Sequence, residues 1–146
     1  MTPTPPPLPA PGRTRFETEL QVRPDDLDMM QHVHASRYLD YVLAARCDQM
    51  ARCYGMGMEE FLARGLGWYT RVSHFEYHRP LRFGERFRVR TWIQEFFKDG
   101  VRVEFEILKA ANGKLAAAGW CHFTLVNLHT GRAEPLPAEV VAKYAI

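Results

Sequence analysis

One stretch constrains the fold more than any other. From Pro24 to Gly55 (PDDLDMMQHVHASRYLDYVLAARCDQMARCYG) a polar loop runs straight into the chain's only long helical pattern. Tyr38, Tyr41, Val42, Ala45, Gln49 and Cys53 recur at steps of three and four, and Leu39, Leu43 and Ala44 widen the apolar arc. An arc that broad predicts a helix covered on much of its circumference. Ser36 or a neighbour is the expected N-cap, and Gly55 stands where a C′ glycine ends a helix. The loop before the helix carries Asp25, Asp26, Asp28, His32 and His34. Carboxylates and imidazoles therefore sit beside the free backbone N–H groups and positive dipole end of a helix.

The flanking segments read as strands. Phe16, Leu20 and Val22 alternate with charged and polar residues until Pro24, which cannot donate to a ladder. A short helix is expected over Met58 to Arg64, stopped by Gly65. From Trp68 the period changes to two. WYTRVSHFEYHRPL ends near Pro80, and FRVRTWIQEFF sets Phe87, Val89, Thr91 and Ile93 on one face. After the Lys98-Asp99-Gly100 turn, Val101, Val103, Phe105 and Ile107 share a face. Asn112-Gly113 is a hairpin signal, and LAAAGWCHFTLVNL follows it. The small run Ala116 to Gly119 predicts close approach to the helix or a ligand. Pro137 to Tyr144 is expected to form one or two helical turns. Tight turns imply antiparallel pairing, so the reading is an α+β domain whose sheet covers the long helix.

At 146 residues the chain is one domain. Residues 1–14 are expected to be a proline-rich disordered leader and 15–146 the folded unit. No apolar run reaches membrane-spanning length, and the formal charge of +2 does not point to a polyanion. Neither a membrane nor a nucleic-acid partner is expected. Cys47, Cys53 and Cys121 form an odd set without metal-site spacing, which reads as reduced thiols in a cytoplasmic protein.

Asp28 is the favoured catalytic residue. It precedes a helix start whose N–H groups can hold an oxyanion, and the apolar neighbours Met29 and Met30 are expected to raise its pKa and strengthen it as a base. The competing reading is a turn or cap aspartate. His32 and His34 are of metal-ligand type, but no other histidine cluster closes a shell, so no metal is expected. Cys121 and His122 are adjacent on a strand and point to opposite faces, which removes cysteine–histidine catalysis. Arg79, Arg82, Arg86, Arg88 and Arg90 are either a solvated sheet face or a phosphate contact.

Asp26-Leu27-Asp28-Met29-Met30-Gln31-His32-Val33, followed by Tyr38-Leu39, resembles the hot-dog-fold thioesterases, in both the 4-hydroxybenzoyl-CoA thioesterase-like branch and the acyl-ACP branch. FEYHRPLRFGERFRVRT is similar to that family's strand, proline turn, glycine–acid turn and returning strand. The resemblance covers Phe16 to Leu128 and implies a long central helix wrapped by a curved antiparallel sheet of about five strands. It implies an acyl-CoA thioesterase without metal or redox cofactor, assembled as a homodimer or dimer of dimers. Asp28 falls on the family's nucleophile or general base, and His32 on the histidine of the acyl-ACP branch. Where that branch has asparagine this chain has Met30, which cannot orient a water or thioester oxygen by hydrogen bonding. CoA is therefore the expected carrier and acyl-carrier protein the alternative.

On the same resemblance, backbone N–H groups of Val33, His34 and Ala35 would polarise the thioester carbonyl. Arg79 or Arg82 would meet the CoA phosphates, and Tyr69, Thr70 or Arg71 would reach a neighbouring protomer's site. Met30 also motivates a second reading, a non-catalytic acyl-CoA or acyl-carrier-protein binding protein. A dehydratase or hydratase on this fold is a third, but its Asp/His arrangement is not evident.

Overall fold

The computed structural model describes residues 13–146. The first twelve residues of the expected leader lie outside them, and Thr14 already donates its N–H to the Ile146 carbonyl at 2.9 Å. The elements are β1 (Phe16–Gln21), α1 (Tyr38–Arg52), α2 (Met58–Ala63), β2 (Leu66–Tyr77), β3 (Arg86–Phe96), β4 (Gly100–Lys109), β5 (Leu115–Asn127) and α3 (Ala138–Tyr144). The five strands form one antiparallel sheet in the order β1-β3-β4-β5-β2. Hairpins join β3, β4 and β5, as their short turns predict. Two pairings join strands that are not consecutive, β1 with β3 and β2 with β5, since α1 and α2 separate β1 from β2.

Alternation on the strands sets the core. Phe87, Val89, Thr91 and Ile93 of β3 and Val101, Val103, Phe105 and Ile107 of β4 are buried, all on the face toward α1. The helix answers with Tyr38, Tyr41, Val42, Ala45, Gln49 and Met50. Its cover is less complete than the broad arc predicts, since Ala44, Cys47 and Ala51 remain exposed. Gln49 is fully buried but satisfied. Its amide donates to Thr18 Oγ1 (3.1 Å) and the Val89 carbonyl (3.2 Å) and accepts from the Thr91 hydroxyl.

In the small run on β5, Ala116 and Ala117 are buried in the core shared with α1, and Gly119 is closely approached by its neighbouring strands. A side chain at Gly119 would meet the His74 carbonyl 1.8 Å away and the Phe105 ring at 2.9 Å. The glycine thus lets β2 and β4 close on β5. No helix of the described residues is long and apolar enough to cross a membrane.

Candidate active site

The loop between β1 and α1 folds into a miniature hairpin. Leu27 and Val33 form an antiparallel bridge, and His32 bridges Arg82 on the chain leading to β3. Asp28 and His32 face each other across the tip: the Asp28 N–H donates to the His32 carbonyl at 2.7 Å. Gln31 turns the chain with φ of 64°, the only non-glycine residue described with positive φ. The tip displays Met29, fully exposed, and Met30.

Asp28 closes this turn with one oxygen. Its Oδ1 accepts the N–H groups of Met30 (2.8 Å) and His32 (3.2 Å), while Oδ2 has no partner among the described residues. The His32 hydrogen bond, aided by that of Met30 and the nearby imidazoles, holds Asp28 below the usual carboxylate range. This overturns the expected upward shift. The methionines point to solvent and remove little water from Asp28, while the backbone donors favour its charged form. Asp28 is half-buried, anionic and held in place.

Asp26 has a different environment. It is 3% exposed and accepts the Tyr41 hydroxyl at 2.6 Å and Arg23 Nε at 2.8 Å, with Arg37 Nε at 3.8 Å. Burial pushes its pKa up, but the Tyr41 and Arg23 hydrogen bonds outweigh this and hold it down. Its carbonyl accepts the His34 N–H at 2.8 Å. Asp26 is therefore the peg that fixes the loop, and Asp25 beside it is exposed.

The expected oxyanion donors separate. The Val33 N–H is occupied by the Leu81 carbonyl (2.8 Å) and that of His34 by Asp26. Ala35, first residue of the 3-10 turn Ala35–Arg37 that leads into α1, gives its N–H no acceptor among the described residues. His34 caps this 3-10 turn, its Nδ1 accepting the Ser36 N–H at 3.1 Å, while Arg37, the neighbour of Ser36, stands at the N-cap of α1. A residue the sequence reading missed closes the other side. Tyr77 donates its hydroxyl to the Ala35 carbonyl (3.1 Å) and sets its ring edge-on to Tyr38 at 5.0 Å. Its position at the end of β2, just before the proline turn, was the available signal.

Of the arginines, Arg86, Arg88 and Arg90 pair with Glu19 or Glu17 of β1. Arg79 donates to the Leu115 carbonyl at 2.8 Å. The Arg82 guanidinium pairs with no carboxylate of the described residues, and its backbone lies on His32. The structure thus gathers Asp28, His32 and Arg82, with Ala35 three residues further along the same loop. It does not bring Tyr69 and Thr70 there: Tyr69 is exposed and sits roughly 25 Å along β2 from Tyr77. Thr70 instead lines an apolar cavity of about 210 Å³ beside α1, with Leu43, Arg46, Met50, Trp68 and Phe123 among its walls. Cys121 is buried, and burial pushes its thiol up to about 12, so it stays protonated.

A family model described as the thioesterase-like superfamily matches residues 22–144. The chain belongs to that superfamily. This thioesterase-like chain is 24% identical over 129 residues to the long-chain acyl-CoA thioesterase FadM of Escherichia coli, covering 88% of the chain and 96% of FadM. It superposes on a DHNA-CoA thioesterase from Staphylococcus aureus with a TM-score of 0.79 at 20% identity, over 84% of this chain and 80% of that one. The S. aureus protein SAV2348, solved in complex with CoA, matches with a TM-score of 0.78 at 20% identity, over 93% and 85%. The hot-dog fold is therefore established, and superfamily membership assigns the chain to the thioester hydrolases.

Proposed function

We propose that the chain hydrolyses acyl-CoA thioesters at the Asp28 loop. The observation that carries this reading is an anchored, ionised Asp28 with one oxygen free, in the same loop as an unoccupied N–H at Ala35 where the helix begins. The thioester carbonyl accepts from Ala35 and from the helix dipole, and charge developing on its oxygen is stabilised without reorganisation. Asp28 Oδ2 attacks the carbonyl carbon. The C–S bond breaks, CoA leaves as a thiolate that takes up a proton, and water cleaves the mixed anhydride to the acid and the regenerated carboxylate. A carboxylate held below its usual range is a poor proton acceptor, which favours attack over general-base action. His32, tied to both ends of Asp28, orients the carbonyl. Arg82 meets a CoA phosphate, a carrier supported by the CoA-bound structural relative.

The unit is a homodimer in this reading. β2 is an edge strand twelve residues long, and an unpaired edge of that length is a ready pairing surface. Across such an edge Tyr69 and Arg71 would approach the partner's site.

The test follows free thiol release from short-chain, long-chain and aromatic acyl-CoAs. Turnover on at least one is expected, and its absence on all of them would overturn the reading. CoA-ester binding without turnover would instead favour a non-hydrolytic acyl-CoA binding protein, for which Met30 at the loop tip is the motive.

A further inference from the structure

Arg46 lies on the wrong side of α1 for an arginine. It is 6% exposed, packed between the helix and the sheet, and lines the cavity with Thr70. Its guanidinium donates to Thr91 Oγ1 at 3.4 Å and sits 5.3 Å from the Tyr54 ring centroid. No carboxylate of the described residues pairs with it, and residues 1–12 contain neither aspartate nor glutamate. The Thr91 hydroxyl is itself directed to Gln49. A buried cation served by neutral groups alone is costly, and its counter-charge is missing.

The cavity around it is otherwise apolar, walled by Leu43, Met50, Trp68, Phe96, Val101 and Phe123. The Thr70 hydroxyl adds a second polar group to the wall, and the buried Nε1 of Trp68, which has no hydrogen-bond partner among the described residues, a third. Cys47 at the wall is exposed, which opens the cavity to solvent. An apolar slot with a few polar groups, one of them cationic, matches a ligand with the inverse pattern. We propose that this cavity binds the carboxylate-terminated end of an aliphatic chain, with Arg46 as the anion anchor. The planar fork of arginine suits a carboxylate bidentately, and a dry site strengthens the pair.

Two sources supply that chemistry: a free fatty acid, and the far end of an acyl group with a second carboxyl. The second rests on the proposed thioesterase reading. From Ala35 to Arg46 the helix path is roughly 16 Å, so a chain of about a dozen carbons spans it. The binding of a free carboxylate does not depend on that reading.

Calorimetry with octanoate and octanol tests the cavity directly. Octanoate is expected to bind at least about 10-fold more tightly than octanol, the scale of a charged hydrogen bond, and Arg46→Met should erase the difference. Removal of an uncompensated buried charge should leave the melting temperature of Arg46→Met unchanged or raised. Octanol binding as tightly as octanoate, or a preference that survives in Arg46→Met, overturns the proposal. Should Arg46→Met fail to fold, Thr70→Phe fills the cavity from a half-exposed strand position. Octanoate binding undiminished in Thr70→Phe also overturns the proposal. In the second arm, kcat/KM is compared for dodecanedioyl-CoA and dodecanoyl-CoA. A preference for the dicarboxylyl ester that Arg46→Met abolishes assigns the cavity to the substrate's far end. A preference seen only with free acids assigns it to a fatty acid. If no acyl-CoA is hydrolysed, the calorimetric arm still decides.

Discussion

The Tyr41 hydroxyl donates to the Asp26 carboxylate at 2.6 Å, joining the first turn of α1 to the loop that carries Asp28. The same hydroxyl accepts the Arg23 N–H at 3.2 Å, so one phenol ties the end of β1, the loop and the helix together. Because Asp26 also accepts His34 through its carbonyl, the position of Asp28 two residues on is set by a buried aspartate.

Tyr41→Phe is therefore expected to act on stability first. It leaves a buried carboxylate short of a donor, which costs about 1–3 kcal/mol. The loss should depend on pH. Asp26 has a folded pKa below its unfolded one, so its stabilisation is present above the ordinary carboxylate range and fades as pH falls through the folded value. Thermal melts of wild type and Tyr41→Phe should differ most near neutrality and converge in acid; a constant gap down to low pH would remove Asp26 as the cause.

The strands, the helix and the Asn112-Gly113 hairpin were legible because period and turn chemistry are local. Which of three neighbouring aspartates is buried was not. Asp26 is selected by Tyr41, fifteen residues later, and by the orientation in which α1 packs on the sheet. The sign of the Asp28 shift was also hidden, because apolar neighbours in sequence do not desolvate a group when the turn points them outward. Arg46 was readable in part, since it falls four residues after Val42 and three before Gln49, inside the apolar arc. Charge alone suggests the solvent side, and only the packed sheet reveals the burial.

The edge position of β2 bears on assembly. Its outer rim carries Tyr69, Val72 and Tyr77, all exposed in the single chain, and a long edge with apolar residues rarely stays unpaired. Light scattering is expected to give at least a dimer at assay concentration. A stable monomer with full turnover would show that the site is complete within one chain.

Asp28 also predicts the acid side of the pH profile. Its pKa is lowered from 3.8 by the His32 and Met30 N–H groups, so its charge persists as the solution is acidified through the usual carboxylate range. Activity that depends on ionised Asp28 should fall only below about pH 4, provided melts show the fold intact there. An acid limb centred well above that value would assign the titration to another group.

The sharpest prediction separates Asp28 from Asp25. Both are loop acids, and solubilising or capping roles would make them interchangeable. In Asp28→Asn the amide oxygen can still accept the Met30 and His32 N–H groups, so the turn is retained while the charge on the free oxygen is lost. Turnover on the best acyl-CoA should drop by at least about 100-fold, the lower range for a positioned catalytic group, with a melting temperature close to wild type. Asp25→Asn, exposed and outside the hairpin, should leave turnover within about 2-fold. His32→Ala should fall between them, because its backbone still holds the turn while the imidazole beside Asp28 is gone. Equal losses in Asp25→Asn and Asp28→Asn would point to loop charge in general. Wild-type turnover in Asp28→Asn would remove the aspartate from the mechanism altogether.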